Sequence, residues 1–180
     1  MTQEQITEIE KTHPVTVWKV CNCLREGLRS SFIRPGLQYQ LGVPTVGWEN
    51  TPGVIAFDSE IRAVSWAIRV RRDIVLECRA DTTTGNVTMC YPWTDSDYES
   101  IMQFYTQRCS DSHHLTYIPL GTVACHSLIP VRWIPPSMDN SGYQEENRSY
   151  LRNMEFLHDR GSLPADILQA YEKWLEGSRG

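Results

Sequence analysis

Val15, Val17, Lys19 and Cys21 alternate with Thr16, Trp18 and Val20. This two-residue period in a β-branched, aromatic run predicts a strand over 15–21. Leu24 to Gly36 reads as a loop or broken extended segment carrying Arg25, Arg29 and Arg34, and Leu37 to Leu41 as extended chain. Between Val43 and Gly53 the residues Pro44, Gly47, Pro52 and Gly53 mark turns. The apolar run Val54–Phe57 is a short strand, and Asp58 or Ser59 then caps a helix with Ile61, Val64, Trp66 and Ile68 on its apolar side.

The same patterns carry the rest of the chain. Asp73–Arg79 is a strand, Thr82–Asn86 a turn, and Val87–Tyr91 the second strand of a hairpin. A helix capped by Thr94 or Asp95 bears Tyr98, Ile101, Met102 and Tyr105. Thr122–Ile134 makes one or two strands, with Pro130 at an edge or a bulge. The period then turns helical. Tyr150, Leu151, Met154, Phe156 and Leu157 lie on a helix closed by Gly161. A second helix, capped by Ser162 with Pro164 in its first turn, carries Ile167, Leu168, Tyr171, Trp174 and Leu175 and ends at Gly177. At the other end, Thr2 with Gln5 suggests a capping box and a short helix that His13-Pro14 stops.

Together these elements predict an α+β fold: a mostly antiparallel sheet with capped helices, then a C-terminal helical hairpin. They divide the chain into a domain over 1–134, a proline-rich linker over 135–144 and the hairpin over 145–180.

Composition narrows the function classes. With 41% apolar and 22% charged residues, the 180-residue chain has enough apolar content to fold around a core. A net charge of -5 disfavours a dedicated nucleic-acid binder, and no apolar run approaches a bilayer span. The acidic N-terminal stretch lacks the basic and apolar regions of a signal peptide, so a cytoplasmic location is expected, with the six cysteines as buried free thiols.

Chemistry-bearing patterns are sparse. Cys21-Asn-Cys23 lacks structural-zinc spacing, and His113-His114 would point apart in extended chain, so no metal site is expected. No nucleophile elbow, P-loop or dinucleotide fingerprint occurs. Arg25, Arg29 and Arg34 form one basic group and Arg69, Arg71 and Arg72 another, both with forks suited to phosphate but also at home on a solvated surface. Trp48 stands in a Gly/Pro-rich loop, where an indole can stack on a ligand or anchor a partner.

One layout has a counterpart. Val17-Trp-Lys-Val20, a loop, Gly53-Val-Ile-Ala-Phe-Asp-Ser59, a helix through Ala67 and the strand Ile74–Cys78 resemble the N-terminal half of small ADP-ribosyltransferase-like domains. The order is also similar to that of uncharacterised bacterial and phage proteins. The resemblance implies NAD as cofactor, with Lys19 at the first-strand basic position and Phe57 to Ser59 at the aromatic or serine position. The family also places a glutamate on a late strand, and Thr122–Ile134 contains none.

Two functions are therefore expected. The first is a small non-enzymatic binding protein without a cofactor, joined to a protein partner or to itself, with Tyr171, Trp174 and Leu175 as the partner surface. The alternative is a divergent NAD-dependent transferase. Ligand contacts in either case are expected from Lys19, Arg25, Arg29, Trp48, Phe57 and Ser59.

Overall fold

A computed structural model describes residues 16–24, 27–30, 37–47, 54–80, 89–90, 122–137 and 143–179. The N-terminal helix, the helix from Thr94 or Asp95, the turn at Thr82–Asn86, the His113-His114 pair, Arg25, Arg34 and Trp48 lie outside these residues.

Among the described residues, nine strands belong to one sheet: β1 Thr16–Leu24, β2 Gly27–Ser30, β3 Gln38–Tyr39, β4 Thr45–Val46, β5 Val54–Phe57, β6 Asp73–Ala80, β7 Met89–Cys90, β8 Thr122–Cys125 and β9 Ser127–Trp133. Every pairing is antiparallel. The helices among the described residues are α1 Glu60–Ala67, α2 Gln144–Asp159 and α3 Ala165–Arg179. The α+β fold and its C-terminal helix pair are as the sequence predicts.

Part of the sheet closes on itself. β2 pairs β1 and β3, β1 pairs β6, β6 pairs β9, and β9 pairs β4. The bridge Gln40–Val43 and the bond from Thr45 Oγ1 to the Gln38 carbonyl, 2.9 Å, join β3 to β4. Gly42 supplies the left-handed turn between them, at φ 77°, and its N–H ties the turn to the Pro130 carbonyl at 2.8 Å. Strand alternation then sends one side-chain set inward. Val17, Cys21 and Cys23 of β1, Leu28 of β2, Tyr39 of β3, Ile74, Leu76, Cys78 and Ala80 of β6, and Leu128 of β9 are all buried and share that face by register. Each large aliphatic among them contributes about 1.5–3 kcal/mol by leaving water.

β1 is also where the sheet forks. Its second edge pairs with β5 at Trp18–Phe57 and with β2 from Cys21 onward. The β5 branch continues to β8 and then β7. β7 therefore does not form the predicted hairpin with β6, whose two edges are taken by β1 and β9. Pro130 sits at a bulge: Cys78 faces Pro130 and Glu77 faces Arg132, so Val131 is the extra residue, exposed outside the ladder.

Ser59 caps α1, its hydroxyl accepting from the Arg62 N–H at 3.3 Å. The buried side of α1 is Ala63, Val64 and Ala67, whereas the expected Ile61, Trp66 and Ile68 are only half-buried. Small alanines let the helix lie close to neighbouring elements.

The C-terminal helices share the sheet's core. Tyr150, Met154 and Leu157 of α2, with Leu163 and then Ile167 and Tyr171 of α3, join one apolar cluster with the strands. The hairpin drawn from sequence as a separate unit beyond a linker is thus packed on the rest. The Tyr150 hydroxyl accepts from the Val75 N–H at 3.0 Å and donates to the Ile134 carbonyl at 2.8 Å. The Asn153 amide donates to the carbonyls of Ala67, Val70 and Asp73 at 3.0, 3.2 and 3.1 Å, holding the α1–β6 connection. Between the helices Gly161, at φ 65°, completes a Schellman closure: Ser162 N–H to the Leu157 carbonyl and Gly161 N–H to the His158 carbonyl. α3 begins at Ala165, just past Pro164, and continues through Gly177.

Candidate functional site

Lys19 follows its strand's alternation into the barrel and is 2% exposed. It lies at the fork, where β1 exchanges β5 for β2. Its Nζ donates to the Ile55 carbonyl at 2.7 Å and stands 5.5 Å from the centre of the Tyr39 ring. Burial lowers its pKa, partly opposed by the field of Cys21, Cys78, Asp73 and Cys125. The Lys19 amine in this position satisfies a strand carbonyl next to the fork.

The thiols nearby are equally enclosed. Cys21, Cys23, Cys78 and Cys125 are free and buried. Burial pushes Cys23 and Cys78 up to about 12 and raises Cys21 well above the usual thiol range. They stay protonated and serve as small apolar fillers. No group of three metal-ligating side chains occurs among the described residues.

Asp73 is the buried carboxylate of this region. It takes a 3.1 Å hydrogen bond from the Asn22 amide across the β1–β6 register. Burial raises its pKa to about 7, against the pull of Asn22 and Lys19. By register Asn22 and Asp73 lie on the face opposite Lys19, with Arg29 of β2 next in the row and half-buried. Lys19 and Arg29 are therefore separated by the sheet.

Phe57 and Ser59 lie elsewhere again. Phe57 pairs with Trp18 and so projects on the face away from Lys19. Ser59 is engaged as the helix cap. On the hairpin, Tyr171 is 2% exposed, and Trp174 and Leu175 are half-buried against the core. Trp133 meets the rings of Tyr171 and Trp174 edge-on at 6.0 and 6.3 Å, so these aromatics dock the hairpin onto β9.

A pocket of about 300 Å³ opens instead on the outer side of α1. Phe57, Ile61, Ser65 and Trp66 line it together with Tyr143, which stands just before α2. Arg62 and Arg69 complete the lining. Tyr143 is 47% exposed. Arg69 stacks on Trp66 with its guanidinium carbon 4.1 Å from the ring centre, while the Phe57 ring meets Trp66 at 6.3 Å, tilted. Arg62 approaches Asp58 Oδ1 at 3.7 Å, a loose pair in which the arginine is exposed and the carboxylate oxygen is covered.

Of the residues singled out from sequence, the pocket takes in Phe57 and Arg69. Sequence reasoning put Trp66 on the apolar side of α1 and did not single out Tyr143. The spacing held a signal: Arg62 and Trp66 stand i, i+4 on α1, separate from Ala63 and Ala67, and Arg69 follows two residues after the helix ends. Tyr143 comes close only through tertiary packing of α2.

No family model, no curated protein and no solved structure matches the chain. No helix among the described residues is long and apolar enough to cross a membrane.

Proposed function

We propose that this protein is a non-enzymatic binding protein and that the α1–Tyr143 pocket receives its ligand. The observation carrying this reading is the convergence of Trp66, Tyr143, Arg62 and Arg69 on one opening. Two aromatic side chains and two guanidinium groups provide apolar contact and fixed donors together, the mixture that anchors protein interfaces. No carboxylate lines this pocket, and the buried Lys19 and Asp73 lie away from it. General acid–base chemistry draws most often on a histidine, a carboxylate or a lysine, and the lining residues include none of these.

The test uses the Trp66 indole N–H resonance, assigned by comparison with Trp66→Phe. Short capped peptides of acidic, neutral and basic composition are titrated in turn, and NAD is added separately in a melting experiment. The reading expects at least one peptide class to move the Trp66 signal and NAD to leave the melting temperature unchanged. If no peptide moves Trp66, or if NAD raises the melting temperature by several degrees, the reading is wrong. A rise with NAD would return the transferase alternative.

A further inference from the structure

We infer that the protein carries a second binding site, a clamp for a phosphate monoester group formed by Arg71 and Arg160 over the Phe156 ring. It stands on the α1–β6 connection and the end of α2, and it shares no residue with the pocket lined by Trp66 and Tyr143.

The fold itself brings the two arginines together. Asn153 ties its amide to the Val70 carbonyl at 3.2 Å, and Arg71 follows directly in the chain. Phe156 lies three residues beyond Asn153 on α2, half-buried and packed against the core. Arg160 comes four residues later, at the C-cap. Two segments far apart in sequence thus deliver their guanidinium groups to one ring, Arg71 at 5.9 Å and Arg160 at 4.2 Å from its centre. Stacking on the ring restrains both forks.

Ordinary roles leave these charges unspent. Arg62, Arg132 and His158 each approach a carboxylate, and among the described residues none does so for Arg71 or Arg160. Arg160 is not needed at the helix end either, a usual task for a basic residue there. The carbonyls of Phe156, Leu157 and His158 already accept from the N–H groups of Arg160, Ser162 and Gly161. Arg72 and Arg152 are exposed on the same two segments, against Glu155 and an Asp159 that lies 3.9 Å from His158. Positive charge is therefore in local excess on a chain whose net charge is -5, and such a patch draws anions to itself.

Spacing and charge together select phosphate. The two ring distances leave the guanidinium carbons at most about 10 Å apart, and a phosphate gripped by two forks sets them roughly 8 Å apart. Long, exposed side chains make up the difference. A monoester carries close to two negative charges at neutral pH and three terminal oxygens, enough to accept from both forks. A carboxylate, with two oxygens and one charge, is filled by a single fork. A nucleic-acid strand presents one charge per phosphate and is repelled as a whole by an acidic chain.

The experiment follows the Nε–H resonances of Arg71 and Arg160, assigned with Arg71→Lys and Arg160→Lys. Inorganic phosphate, glycerol phosphate, a phosphoserine peptide and acetate are titrated in turn at constant ionic strength. Phosphate and at least one monoester should move both resonances together in the millimolar range or tighter, and acetate should leave them in place. Tighter binding of glycerol phosphate assigns the site to a small molecule, and tighter binding of the peptide to a phosphorylated protein. Arg71→Gln/Arg160→Gln should weaken phosphate binding by about tenfold, whereas Arg79→Gln, also exposed, should bind as the wild type does. An unchanged melting temperature shows that the double variant is folded. Equal shifts with acetate, a response from only one of the two arginines, or undiminished binding by the double variant overturns the clamp. None of these outcomes bears on the Trp66 pocket, which has its own readout.

Discussion

Lys19 donates to the Ile55 carbonyl from inside the barrel, across 2.7 Å and between strands that pair only at Trp18–Phe57. The amine thus fastens the β5 branch to β1 at the position where ladder bonds give way. Lys19→Ala leaves a buried acceptor without this donor and a cavity beside it. A loss of about 2–4 kcal/mol is expected in urea unfolding. Lys19→Met, which fills the space and removes a buried polar group, should lose less. An alanine variant as stable as the wild type would contradict this role.

Asp73 makes stability fall as pH rises. Its folded pKa, about 7, exceeds the ordinary 3.8, so the native state holds the proton more tightly than the unfolded chain does. The contribution is complete below about pH 4 and is lost as pH climbs through 7. Asp73→Asn keeps an acceptor for the Asn22 amide and removes the titration. Relative to the variant, the wild type should lose roughly 3 kcal/mol between pH 5 and pH 8. Parallel pH profiles for the two proteins would count against a raised pKa.

Tyr150 joins α2 to the ends of β6 and β9 through one oxygen. Tyr150→Phe preserves the ring and strips both hydrogen bonds, leaving the Val75 N–H and the Ile134 carbonyl without it. The expected cost is about 2–4 kcal/mol by chemical denaturation. A change below half a kilocalorie would mean that water takes over both groups.

The turn between α2 and α3 needs a left-handed residue. A Cβ at Gly161 would meet nothing within 4 Å, so Gly161→Ala isolates backbone strain from crowding. Its cost should be about 1–2 kcal/mol, with Gly161→Asn losing less. Equal stability of all three proteins would show that the turn adopts another conformation.

Much of this was legible in local pattern. The alternation through β1, the Ser59 cap, the bulge at Pro130 and the Gly161 closure all follow from one residue and its near neighbours. What the chain kept hidden depends on distant partners. β7 pairs with β8 because β6 is occupied on both edges, a fact no turn signal near Asn86 contains. α1 buries alanines and leaves Trp66 half-exposed, since a close helix approach rewards small side chains over large ones. The pocket needs α1 and Tyr143 together, so the part on α1 was readable and the contribution of Tyr143 was not.

The barrel's closing seam has a consequence for synthesis. β1 to β4 and β6 are all translated by Ala80, yet β9, which joins β4 to β6, begins at Ser127. At ribosomal rates of about 5–20 residues per second, the intervening stretch takes on the order of 2–10 s. During that interval the incomplete ring leaves two strand edges unpaired, with Lys19 and its neighbouring thiols not yet sealed inside. In a nascent chain stalled before Ser127, Cys21, Cys23 and Cys78 should therefore react with thiol reagents from which the folded barrel shields them.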